Sequence, residues 1–571
     1  MPQGRKKVPF SGKAKKEQLK TKRNKKQGSS QNYLVKPHNS DGDDSDDGKV
    51  QKVNAQPGRS GRNVNRYNLK FYRETDAEIK ERKELAMKSL EMHNDLEINV
   101  HDYFPEDFDF PKRPSWNFDM SREALDAREN RYFTEYVTEL DNKYGWKEMS
   151  FFELNLETWR QLWRVLEMSD VILIIVDIRF PALMFPPSLY NYVTKTLNKQ
   201  MILVMNKIDL APTPLVVAWR NYFIKNYPQL KVVLFTTLPQ YNLVGKLSDK
   251  AGLQIRHKKG KVRMATEGTK LLLEACKEIV EDQVDLRSWE EKIKEESTYT
   301  TDDVSELIVE ETIETKSVDT QFYQHERFNN GILTIGCVGQ PNVGKSSVMN
   351  AIMGKKVVSV SKTPGHTKHF QTIFLTPNVR LCDCPGLVFP SKVPKVLQII
   401  MGSFPIAQLR EPFTTIKYLA ERMDMPKLLR IAHPENDDTW SAMDVCDGWA
   451  KRCGYVTARS GRLDSYRAAN SLLRMTLDGK ICLCLTPPNY ESEKDVWEKH
   501  EDVEMVNWIK AIVDDDDDKK QDRPLEKVAE SCSDEDAFKD SDEERDEYDD
   551  DSSDGEQVLA SNKFSALNDA N

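Results

Sequence analysis

The sequence predicts an α/β fold built around a mostly parallel sheet, and three observations predict it. Short apolar runs at Val171 to Asp177, Met201 to Met205 and Val232 to Phe235 are each followed by a stretch that reads as a helix. Apart from the closing Asp177, the runs are apolar throughout rather than alternating, as strands covered on both faces must be. The pattern resumes at Ile332 to Val338, Gln371 to Leu375 and Val379 to Cys382, and the first of these opens into a Gly-rich turn.

Taken in order, the elements begin with helices. Thr75 and Glu78 form a capping box ahead of a helix over Ala77 to Leu90, and Trp159, Leu162, Trp163 and Leu166 recur at helical spacing. Three strands with their helices follow. Residues 285 to 320 interrupt them with acidic, Ser/Thr-rich sequence; after the second group of strands, Lys395 to Ile512 reads as mostly helical, and no internal repeat is evident. The chain thus divides into a disordered basic arm (1–65), a helical N-terminal region (66–155), the first part of the sheet domain (156–284) and an acidic linker or insertion (285–325). The second part of the sheet domain (326–390), a C-terminal helical domain (391–512) and a disordered acidic tail (513–571) complete it.

Composition excludes several classes. The 571 residues are 39% hydrophobic and 31% charged, with a net charge of −9. The longest apolar run, Val171 to Val176, is far short of the roughly 18 residues a membrane helix requires, so no membrane partner is expected. The basic N-terminus has no apolar stretch behind it, which argues against secretion. Nine scattered cysteines suit a reducing compartment, and the alternating pairs Cys382/Cys384 and Cys482/Cys484 read as strand residues rather than zinc ligands.

The small net charge conceals a polarity. Residues 1 to 30 carry a net of +10, and Val513 to Asn571 a net of −16. Both ends are too poor in aromatic and β-branched residues to offset the entropy of ordering. The clusters Lys6, Lys7, Lys15, Lys16, Lys22, Arg23, Lys25 and Lys26 are of the kind that direct proteins to the nucleus or nucleolus and bind RNA; the cytoplasm is the alternative location. Ser531, Ser533, Ser541, Ser552 and Ser553 stand among acids, as targets of acid-directed kinases do.

The chemistry is concentrated at strand ends. Gly339, Gly344, Lys345 and Ser346 match G-x-x-x-x-G-K-S between a strand and a helix, the context of a phosphate loop. Its glycines let backbone N–H groups curl around phosphates, Lys345 reaches the β- and γ-phosphates, and Ser346 binds Mg2+. Asp383-Cys384-Pro385-Gly386 follows a strand as D-x-x-G does, with Asp383 toward Mg2+ and the Gly386 N–H toward the γ-phosphate. Asn206-Lys207-Ile208-Asp209 matches N-K-x-D, whose Asp accepts from two guanine N–H groups that adenine does not offer. Here N-K-I-D precedes the phosphate loop, the reverse of the usual order. The domain reads as circularly permuted, which a parallel sheet accommodates because the ligand still lies at the carboxyl ends of the strands.

This order, with Gly339-Gln340-Pro341-Asn342-Val343-Gly344-Lys345-Ser346-Ser347, Pro364-Gly365-His366-Thr367 and Ser169-Asp170-Val171, resembles the circularly permuted GTPases of the YlqF/YawG family over roughly residues 150 to 490. The resemblance implies a P-loop GTPase domain with GTP or GDP as ligand, Mg2+ as cofactor, and for the family at large a role in ribosome assembly. It makes Asn206, Lys207, Asp209, Gly339, Asn342, Val343, Gly344, Lys345, Ser346, Ser347, Asp383 and Gly386 the nucleotide-binding set. Thr367 becomes the switch I ligand of Mg2+ beside Ser346 and Asp383, and Asn342 the holder of K+, so that Lys345, Thr367 and Asn342 form the catalytic set. Two departures stand out. Phe235-Thr236-Thr237 replaces the usual S-A that touches guanine O6, and Asp177-Ile178-Arg179-Phe180-Pro181 replaces D-A-R-x-P.

Leu387 occupies the place of the water-orienting Gln of Ras-like proteins, and an apolar side chain cannot orient water. Two readings remain open: a GTPase completed by K+ and a partner, or a guanine-nucleotide-sensing module with negligible hydrolysis. Arg256, Lys258, Lys259, Lys261 and Arg263 crowd one expected loop, and Lys451 to Lys480 carries seven bases interleaved with Tyr455 and Tyr466. Both fit RNA or a preribosomal particle as partner, and nothing specifies DNA.

Overall fold

The structure, a computed structural model, describes residues 50–53, 69–72, 74–117, 119–145, 148–237, 241–243, 253–255, 258–298, 326–354, 358, 371–457 and 461–510. Its centre is a sheet of six strands: β1 (Val171–Asp177), β2 (Gln200–Asn206), β3 (Lys231–Leu234), β4 (Leu333–Gly339), β5 (Gln371–Thr376) and β6 (Val379–Asp383). Their order is β3-β2-β1-β4-β6-β5, and every pair is parallel except the edge strand β5, which runs against β6. All seven residues of β1 and of β4 are buried, which accounts for their largely apolar sequence.

Register decides what meets at the carboxyl edge. Asp177 pairs with Asn206 across β1 and β2, Ile175 with Gly339 across β1 and β4, and Asp383 with Cys337 across β6 and β4. The three motif-bearing turns therefore leave one edge of the sheet although they lie far apart in sequence. At the opposite edge the Asp170 carboxylate accepts from the Phe328 and Thr334 N–H groups at 3.0 and 2.7 Å, tying the start of β1 to the entry of β4.

The N-terminal region holds α1 (Asp76–Ala86), α2 (Arg122–Tyr144) and α3 (Leu156–Met168). The Thr75–Glu78 capping box forms at α1. In α3 the expected stripe Trp159, Leu162, Trp163 and Leu166 is buried, and the helix lies so close to β4 that a Cβ on Gly336 would stand 2.7 Å from Val165 Cγ1. An ion-pair network seats α2 on α3, with buried Glu129 accepting from Arg113 and Arg160 at 2.9 and 2.7 Å.

After the sheet strands come α4 (Thr213–Asn226), α5 (Lys258–Val280), α6 (Arg287–Thr298) and α7 (Lys345–Met353). The C-terminal part contributes α8 (Lys395–Met401), α9 (Phe413–Ala420), α10 (Ala442–Cys453), α11 (Ser465–Leu477) and α12 (Asp502–Ile509). The stretch from 90 to 98 laces the two ends together: Leu90 N–H donates to Trp440 C=O and Ile98 N–H to Thr486 C=O.

Four expectations change. The basic stretch expected as a loop becomes helical from Lys258, the first residue of α5. The segment expected as an acidic linker contains α6, with Trp289 buried against its surroundings. Cys482 and Cys484 lie outside any strand, where their thiols approach the Gly479 and Leu210 carbonyls. Of the expected disordered arm over 1–65, Val50–Val53 instead forms a strand antiparallel to Leu69–Tyr72, while the rest of that arm, the acidic tail and most of switch I, including Thr367, lie outside the described residues.

Candidate functional site

The phosphate loop leaves β4 at Gly339, where any side chain is excluded: a Cβ would stand 2.5 Å from the Ile175 carbonyl oxygen. Two further residues adopt left-handed backbone, Asn342 at φ 61° and Gly344 at φ 94°. Asn tolerates that region better than most residues, and at Gly344 a Cβ would also stand 2.4 Å from Asn206 Nδ2. Lys345 opens α7, with Ser346 and Ser347 half-buried beside it in the first turn. The Lys345 ammonium donates to the Gly339 and Gln340 carbonyls at 3.0 and 2.9 Å, inside its own loop. Burial lowers its pKa, opposed by the charge of Asp383.

The N-K-I-D turn closes onto this loop directly. Asn206 Nδ2 donates to the Val343 carbonyl and Lys207 Nζ to the Asn342 carbonyl, each at 2.7 Å. Lys207 has a left-handed backbone of φ 62°, followed by a 3-10 turn over Ile208–Leu210 that carries Asp209. The buried Asp209 carboxylate accepts from the Thr236 hydroxyl. At the Phe235-Thr236 departure, the segment after β3 delivers a hydroxyl that orients the Asp209 carboxylate, and Phe235 N–H donates to Met205 C=O at 2.9 Å to hold it there.

Asp383 ends β6 and is almost wholly buried, yet neither carboxylate oxygen has a partner within hydrogen-bond geometry. Burial pushes its carboxyl up to about 6, against the Lys345 ammonium and the Cys384 N–H. Two buried, unsatisfied oxygens close to a phosphate loop match the donor chemistry of a hard divalent cation, so Asp383 and Ser346 fit Mg2+. Gly386 abuts the loop, where a Cβ would stand 3.0 Å from Pro341 Cα. Leu387 is fully buried and its N–H donates to Gly339 C=O at 3.2 Å.

The expected set therefore converges, except for Thr367, whose segment lies outside the described residues. The Asn342 amide also has a partner outside the loop. Its Nδ2 donates to the Gly402 carbonyl at the end of α8, at 2.9 Å. Residue patterns did not single out Asp177 and Arg179 as site residues. Asp177 Oδ2 lies 2.8 Å from Lys207 Nζ and 2.8 Å from Arg179 Nη2, with both members of the D-I-R pair 1% exposed. A charged D-x-R at the end of an otherwise apolar strand was the available signal.

The chain is similar to several known proteins. The family model described as 50S ribosome-binding GTPase matches residues 334–418. Guanine nucleotide-binding protein-like 1 of Homo sapiens is 45% identical over 486 residues, covering 80% of this chain and 79% of that protein. Large subunit GTPase 1 of Saccharomyces cerevisiae is 32% identical over 398 residues, covering 67% of this chain and 58% of that one. GNP-bound YlqF from T. maritima aligns over 57% of this chain and 96% of its own at 17% identity, with a TM-score of 0.33. With its motifs in permuted order at the carboxyl edge of one sheet, the chain belongs to the guanine nucleotide-binding protein-like 1 family of circularly permuted GTPases.

Proposed function

We propose that this protein binds GTP with Mg2+, hydrolyses it to GDP and phosphate, and acts as a nucleotide-controlled factor in ribosome biogenesis or another RNA–protein assembly. The observation that carries the reading is the junction of N-K-I-D with the phosphate loop, through Asn206 to Val343 and Lys207 to Asn342. It fixes the distance between the carboxylate that selects guanine and the amides that hold phosphate.

Each residue then has a task. Backbone N–H groups from Asn342 to Lys345 surround the phosphates, and the α7 N-terminus adds its dipole. Lys345 exchanges the Gly339 and Gln340 carbonyls for phosphate oxygens. Asp209, oriented by Thr236, accepts from the guanine edge, and Asn206 braces the loop from below. Ser346, Asp383 and Thr367 would hold Mg2+, which supplies positive charge against the phosphates. Asn342 would hold K+ with its amide oxygen, since its Nδ2 is engaged by Gly402.

Partners follow from charge. In the 451–480 stretch, Arg452 is committed to the Leu429 and Arg430 carbonyls, and Arg467 lies 4.4 Å from the Tyr455 ring. Exposed Lys451, Arg462 and Arg474, with the half-exposed Tyr466 ring, are left to face structured RNA. The basic N-terminal arm supports nuclear or nucleolar placement. No helix among the described residues is long and apolar enough to cross a membrane.

Buried Leu387 favours a second reading, a nucleotide-sensing module that barely hydrolyses GTP. GTP turnover in K+ and in Na+, with and without large ribosomal subunits, separates the two. Strong stimulation by subunits in K+ is expected; tight GTP binding without stimulation in any condition would establish the sensing module instead.

A further inference from the structure

The contacts around Asn342 close into a ring that leaves the sheet domain and returns to it. The Asn342 carbonyl accepts from Lys207 Nζ at 2.7 Å, and Lys207 reaches Asp177 Oδ2 at 2.8 Å. Asp177 is gripped by both sides of the Arg179 fork, Nε at 3.0 Å and Nη2 at 2.8 Å. The remaining arm of Arg179, Nη1, donates to the Thr476 carbonyl near the end of α11 at 2.8 Å. The neighbouring Leu477 lies against Gly402, where a Cβ would stand 3.0 Å from Leu477 Cδ2 and 2.8 Å from Asn342 Nδ2. The Gly402 carbonyl accepts from Asn342 Nδ2, and the ring is complete.

A buried ion pair is seldom the most stable filling for a core, since desolvation offsets much of the attraction. Here burial alone would raise the Asp177 carboxyl, and the charges of Arg179 and Lys207 outweigh it, holding the carboxyl well below its ordinary value. Arg is the side chain that suits this place. Its planar fork takes both carboxylate oxygens and still presents a third N–H to a backbone carbonyl, which a Lys ammonium on the same stem does not reproduce. The Arg179 carbonyl is also held, by Leu485 N–H at 2.9 Å, so the residue is anchored to the C-terminal part on two sides.

We propose that Arg179 is a positioning residue that couples the C-terminal helices to the nucleotide: through Asp177 and Lys207 it sets where the Asn342 corner of the phosphate loop stands. A partner that displaces α8 or α11 thereby changes guanine-nucleotide affinity, and nucleotide binding by reciprocity tightens those helices. This rests on the nucleotide reading above and adds to it the direction in which the signal leaves the site.

The test uses the full chain with mant-GDP and Mg2+, comparing wild type with Arg179→Lys and with Arg113→Lys, which alters the ion-pair network between α2 and α3. Arg179→Lys is expected to weaken mant-GDP by about 5- to 150-fold, the usual range of a coupling between sites. Its preference for GDP over IDP stays unchanged because Asp209 is untouched, whereas Arg113→Lys leaves the affinity as it was. Hydrogen exchange on the wild type is expected to show GDP-induced protection at 395–402 and 465–477, and Arg179→Lys is expected to lose it. Wild-type protein that binds mant-GDP without protecting those segments overturns the coupling, even if the variant fails to fold. So does an Arg179→Lys protein that binds within about twofold of wild type. No mant-GDP binding by the wild type overturns the nucleotide reading itself, and the coupling with it.

Discussion

Asp383 shows how a single side chain encodes the need for a ligand. An ionised carboxylate with two unsatisfied buried oxygens is costly, and its pKa of about 6 against the ordinary 3.8 measures that cost. The sign follows: the folded state holds this proton more tightly than the unfolded chain, so the contribution is complete below pH 3.8 and is lost as pH rises to about 6. Without nucleotide and in EDTA, Asp383→Asn should therefore raise stability at pH 7.5 by up to about 3 kcal/mol and flatten the decline between these values. Thermal melts of both proteins from pH 4 to 8 check it; equal pH profiles would remove Asp383 as the cause. Mg2+-dependent tightening of GDP should disappear in the same variant. Thr236 makes the companion case. Thr236→Val removes the hydroxyl that orients Asp209, a loss of about 1–3 kcal/mol that mant-GDP titration reads as roughly a 5- to 150-fold weaker Kd. Asp209→Asn should go further and abolish the preference for guanine, and retained GTP selectivity would refute the assignment.

Elements place these residues through a few close approaches. β1 and β4 are largely apolar strands whose other ends are tied by a polar joint, where Asp170 accepts from the Phe328 and Thr334 N–H groups. Asp170→Ala orphans both donors and should cost about 2–4 kcal/mol, checked by urea unfolding. An unchanged midpoint would mean that the joint contributes no stability. The approach of α3 to β4 is as tight: Gly336→Ala places a methyl 2.5 Å from Ser169 Oγ and 2.7 Å from Val165 Cγ1. Overpacking of that kind should destabilise the fold by about 1–3 kcal/mol without altering base selectivity, since Asp209 lies at the opposite edge. Not every element was legible beforehand. Strands β1, β2 and β4 follow from continuous apolar runs and the stripe of α3 from helical periodicity, whereas the helical start of α5 at Lys258 opposed a reading based on charge crowding alone.

At the scale of the whole molecule, the N-terminal stretch, the sheet and the C-terminal helices share backbone hydrogen bonds such as Leu90 to Trp440 and Leu485 to Arg179, so the described residues should unfold together. GDP at about a hundredfold over its Kd should stabilise that transition by about 2.7 kcal/mol, and calorimetry showing two transitions of which only one responds would contradict it. The motifs, their permuted order and the apolar strands were readable from the sequence because each depends on residues within a few positions of one another. So were the contrasting charges of the two ends, and with them the case for RNA. The partners of the site residues were not. Asn342 meeting Gly402, Arg179 reaching Thr476 and Thr236 orienting Asp209 join positions that no local pattern relates. Sequence by itself determined which chemistry the chain carries, because phosphate and guanine are recognised by short segments. Only the tertiary structure decided what holds that chemistry in place, because strand register and helix packing select among many distant residues the few that come within hydrogen-bond reach.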